Sequence, residues 1–65
     1  MNQTEKAETS LRFHVMKIMQ LSDNLFTASQ ERITDEVRLT LRETLTEIER
    51  HAIESHIALG KLEGK

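Results

Sequence analysis

Wound at about 100° per residue, the apolar positions between Ile33 and Leu59 fall into two stripes rather than one. Val37, Leu41, Leu45, Ile48, Ala52 and Leu59 make the first, while Leu39, Ile53 and Ile57 make a second on roughly the opposite side. A helix that is apolar on two sides needs two neighbours. Upstream, Leu11, Val15, Ile18 and Leu25 step by heptad spacing, with Ser22 in the one polar slot and Met19, Leu21 and Phe26 widening the face. Continuing that heptad lands on Ser29, Arg32 and Glu36, so the stripe fails and restarts in a different phase at Val37.

The phase slip predicts a bend over about residues 27–30, between a helix over about 4–27 and a second over about 30–59, with a frayed tail over 60–65. The expected fold is therefore all-α: a two-helix antiparallel hairpin dimerising into a four-helix bundle. One continuous helix in an elongated coiled coil is the rival, and the change of phase ranks it second. Thr4 is the expected cap of the first helix and Ser29 of the second, with Ala28 and Ile33 placed like a hydrophobic staple. Gly60 is the expected stop of the second helix, with Lys61 just beyond it.

Length sharpens this expectation. Sixty-five residues without a cysteine cannot draw on disulfides or a thiolate metal site, and chains of this size seldom bury enough apolar surface alone. A second chain is the expected source of the missing burial. Hydrophobic content of 37% against 31% charged residues is too apolar for a disordered segment. The net charge of -2 gives no general attraction to nucleic acid or to anionic lipid, so any such contact would have to come from a local face. No secretory signal pattern and no spanning apolar run is legible, and a cytoplasmic protein with no membrane association is the simplest expectation.

Candidate chemistry changes the picture little. Phe13 points almost directly away from the Leu11/Val15/Ile18 stripe, among Lys6, Thr9, Lys17, Gln20 and Asn24, with Met16 beside it. An aromatic residue flanked by a lysine and amides can anchor a protein interface or stack on a base, so Phe13, Lys17, Met16, Gln20 and Asn24 form the candidate partner or RNA face. Packing against another helix of the same oligomer is the plainer explanation for Phe13. The stripe of Leu39, Ile53 and Ile57 reads first as a further layer of a homo-oligomer, then as a groove-binding face for another protein. Glu47, His51 and Glu54 have ligand-compatible spacing, but His56 lies about 140° round the helix and His14 belongs to the other one. Helix-surface pairing is their ordinary explanation, and no metal or cofactor is expected. No glycine-rich phosphate loop or nucleophile–base pair is legible, so an enzyme is not expected.

In length and two-helix plan the chain resembles the Rop (repressor of primer) family of small plasmid proteins, through Glu5-Lys6, Arg12-Phe13, Leu41, Glu47, Ile48 and Arg50 at comparable places. The resemblance implies a helical hairpin that dimerises into an antiparallel four-helix bundle. It also implies an RNA-hairpin contact at the first-helix phenylalanine, here Phe13 with Lys17. Arg12-Phe13 stands one position earlier than in the family, Thr9 or Ser10 replaces an early asparagine, and Asn24 stands where a late lysine is usual. Three functions are thus expected in order: a homodimeric regulator or adaptor acting through protein–protein binding, an RNA-binding dimer, and a subunit or co-chaperone that folds with a different protein.

Overall fold

The computed structural model describes residues 2–64, which form two helices packed against each other, α1 (Gln3–Ser29) and α2 (Asp35–Glu63). Asn2, rather than Thr4, caps α1. Its Oδ1 accepts from the Glu5 N–H at 2.7 Å, and the Glu5 carboxylate accepts in return from the Asn2 N–H at 3.2 Å. This reciprocal arrangement satisfies two backbone donors that Thr4 would have left open one turn earlier. At the other end Ser29 is the last residue of α1, and its hydroxyl donates back to the Phe26 carbonyl at 2.7 Å instead of capping α2.

The cap of α2 is Thr34, whose hydroxyl accepts from the Val37 N–H at 3.2 Å, with Asp35 and Glu36 at the positive end of the dipole. The connection therefore lies at residues 30–34, later than the expected bend, and with Thr34 as the cap Ala28 belongs to α1 and does not sit with Ile33 across a helix start as a staple requires. A second difference concerns Gly60. Helix α2 runs through it to Glu63, and Gly64 donates to the Gly60 carbonyl at 2.7 Å as the actual cap. A helical glycine costs about 1 kcal/mol relative to alanine. Leu62, half-buried one turn beyond Ala58, continues the packing and offsets that cost. Of the expected frayed tail, residues 61–63 are helical and Lys65 lies outside the described residues.

The two helices run antiparallel in a rod of 47 × 15 × 14 Å. Their seam is a regular four–three alternation. From α1 it takes Ala7, Leu11, His14, Ile18, Leu21, Leu25 and Ala28, and from α2 Val37, Leu41, Thr44, Ile48, His51, Ser55, Ala58 and Leu62. Only Ala7 and Ala58 are fully buried among the described residues. The rest are half-buried, because a helix pair has one interface and leaves both of its sides in water. Of the residues expected in the core, Leu11, Ile18, Leu25, Val37, Leu41, Ile48 and Ala52 are half-buried. Val15 and Leu45 remain 44% and 46% exposed, and Leu59 is exposed as well. Each of these three comes a second step of four along its helix (Ala7–Leu11–Val15, Val37–Leu41–Leu45, His51–Ser55–Leu59), so two turns of about 40° add without the step of three that brings the seam back.

Candidate functional site

The seam divides the surface into two flanks of different chemistry. On the first, Leu11, Val15, Ile18, Ala52, Ser55, His56 and Leu59 line an open groove of about 240 Å³. Met19 lies one turn beyond Val15, Phe26 two turns beyond Met19, and Leu45 two turns before Ala52, so helical spacing carries the apolar flank toward the connection. Met19 and Phe26 are the most exposed of these large side chains, at 65% and 66%. The Ser55 hydroxyl is buried in the floor of the groove and finds no hydrogen-bond partner among the described residues.

The second flank is polar. Near the chain ends Gln3, Lys6, Ser10, Glu54, Ile57 and Lys61 surround the Ala7–Ala58 contact. Two turns along, the same rows bring Phe13 and Lys17 from α1 beside Glu47 and Arg50 from α2. Here the structure joins residues that the sequence alone kept apart. The Nδ1 atoms of His14 and His51 lie 2.7 Å from each other across the seam. The Phe13 ring stands edge-on to both imidazoles, with centroids 5.0 Å from His14 and 6.2 Å from His51. Phe13 is thus held at its root while half of its surface faces solvent.

His51 titrates below the ordinary imidazole value of 6.5. Desolvation in the seam is the main cause. The positive potential of His14, Arg50 and Lys17 adds to it, and the Glu47 carboxylate acts in the opposite sense. The pair was findable in principle: Ala7, His14, Leu21 and Ala28 recur every seven residues, as do Val37, Thr44, His51 and Ala58. Hydrophobicity conceals that spacing, because all of these residues except Leu21 and Val37 are small or polar.

The remaining expected site residues are dispersed. Lys17 is half-buried, Gln20 and Asn24 are exposed farther along α1, and Met16 lies on its outer side, 47% exposed. Leu39, Ile53 and Ile57 are all exposed, but Ile57 lies on the polar flank beside Gln3 and Lys6 of α1, apart from the other two. Glu47, His51 and Glu54 do not converge, and no group of three metal-capable side chains gathers among the described residues. No described helix is long and apolar enough to cross a membrane. Comparison with models of known protein families, with curated proteins and with solved structures finds no match to this chain.

Proposed function

We propose that the chain is a non-catalytic regulator or adaptor that works as a homodimer of hairpins, with the Val15/Leu45/Leu59 flanks inside a four-helix bundle and the Phe13/Lys17 flanks outside for a protein partner. One observation carries this reading: the hairpin has almost no interior of its own. It exposes 5209 Å², against about 4200 Å² for a compact monomer of its 7.5 kDa mass. The excess of about 1000 Å² is comparable to the ~800 Å² that each partner contributes to a standard interface. It is also chemically uneven, since the groove-lined flank is apolar and the other is not. Completing the burial of Val15, Met19, Phe26, Leu45 and Leu59, each now near half-exposed or more, contributes about 1 kcal/mol per side chain.

Sedimentation across a wide concentration range, with helicity followed in parallel, tests the first half of the proposal. A dimer whose dissociation is accompanied by loss of helix is expected. A well-folded monomer at every concentration would sink the reading.

A second reading is favoured by the ring geometry at Phe13. An exposed aromatic braced by two imidazoles, with Lys17 one turn away, suits stacking on an unpaired base next to a phosphate contact. Gel shifts with structured RNA would then show affinity falling steeply with salt, and binding lost in Phe13→Ala and Lys17→Ala while helicity persists. Tight RNA binding by both variants rules out this face.

A further inference from the structure

We infer that the His14–His51 pair is a proton-sensitive latch between the two helices, closed while the facing nitrogens share one hydrogen and opened when each carries its own. The shared hydrogen follows from the geometry. The ring centroids are 4.9 Å apart and the Nδ1 atoms 2.7 Å, leaving about 2.2 Å, which is what two imidazole half-widths supply. Each nitrogen therefore points almost straight at the other. This is the alignment of an N–H···N hydrogen bond. A metal ion at ~2.0 Å from both nitrogens would have to sit about 1.5 Å off the line joining them, whereas the nitrogens point along that line, so the rings as placed are aimed at each other and not at a shared cation.

Counting hydrogens gives three states. With both rings neutral, one donates from Nδ1 to the lone pair of the other. After one proton is taken from solvent, the imidazolium still donates to its neutral neighbour. After a second, both Nδ1 atoms are donors, no acceptor remains, and two cations face each other in the seam. The surroundings resist that last state. From α1, Lys17 adds a positive charge, and from α2 Arg50 adds another, with Glu47 the opposing group. The lowered pKa of His51 has the sign this predicts. Because folding weakens proton binding there, the stabilisation is complete above about pH 6.5, the ordinary imidazole value, and is lost as the pH falls below it. The latch lies within one chain, so it stands or falls separately from self-association.

The test is thermal unfolding of the full chain at fixed concentration between about pH 7.5 and 5, a window above the ordinary carboxylate range near 4. The midpoint of the native chain is expected to fall toward the acid end, and this fall is expected to shrink in His14→Gln/His51→Gln and to persist in His56→Gln. Equal falls in the native chain and the double variant, or a fall abolished by His56→Gln, would overturn the latch. Should the double variant not fold, the native chain alone decides the matter by NMR titration of its rings. Coupled, two-step titration of His14 and His51 beside a single step for His56 supports the inference, and three independent single steps refute it.

Discussion

The two flanks of the hairpin share one seam and leave different things to water. Beside α1 and α2 on one side stand Val15, Met19, Phe26, Leu45 and Leu59, around a groove whose floor holds a buried hydroxyl. On the other stand Lys6, Lys17, Glu47, Arg50 and Glu54, with Phe13 fixed against a histidine pair. The first flank has surplus apolar area, with Ser55 and His56 as the polar groups of its groove, which suits packing against a like surface. The second carries charged groups around the half-exposed Phe13 and Ile57, which suits recognition. In the proposed dimer, assembly and recognition would fall on opposite sides of the rod.

The largest effects are expected on the apolar flank. Leu45→Glu combined with Leu59→Glu places two carboxylates where the second hairpin is proposed to sit. The expected cost to the assembly is about 3 kcal/mol or more, seen as monomeric sedimentation with reduced helicity. Retention of the dimer would move the interface elsewhere.

Phe13→Ala, on the recognition flank, is expected to cost about 1 kcal/mol in urea unfolding, because the ring makes edge contacts with His14 and His51 but is half exposed. The dimer should survive it, and capture of the protein partner or RNA should not. Ser55→Ala removes a buried hydroxyl that makes no hydrogen bond among the described residues, and is expected to raise stability by up to about 1 kcal/mol. A loss of similar size would instead show that the second hairpin supplies the missing partner. Leu39→Glu with Ile53→Glu, on the outer side of α2, should leave homodimer stability within about 0.5 kcal/mol. A split dimer would assign that stripe to self-assembly.

Much of this architecture was legible in the residues. The failure of the first heptad at Ser29 and its restart at Val37 point to two helices, and the structure is an all-helical pair. Leu39, Ile53 and Ile57 are exposed, but Ile57 stands beside the Ala7–Ala58 contact, apart from Leu39 and Ile53. The seam itself was not legible. Hydrophobic periodicity favours Val15 and Leu45 over His14 and Thr44, yet antiparallel helices pack closest where side chains are small, and the fully buried contacts are Ala7 and Ala58. The helix ends failed for a related reason. Thr4, Ser29 and Gly60 are good capping residues, but Asn2, Thr34 and Gly64 also qualify, and tertiary packing at Ala28 and Leu62 favours the longer helices. The histidine pair joins residues 37 positions apart, so only the register of the seam could reveal it.

Because the chain has no cysteine of its own, single thiols can report on each flank separately. The most direct measurement is the alkylation rate of Val15→Cys and of Gln20→Cys as protein concentration rises. The account predicts that the thiol at position 15 becomes progressively protected as the hairpins pair, while the thiol at position 20 reacts at the same rate throughout. Equal rates at both positions across the whole range would contradict it.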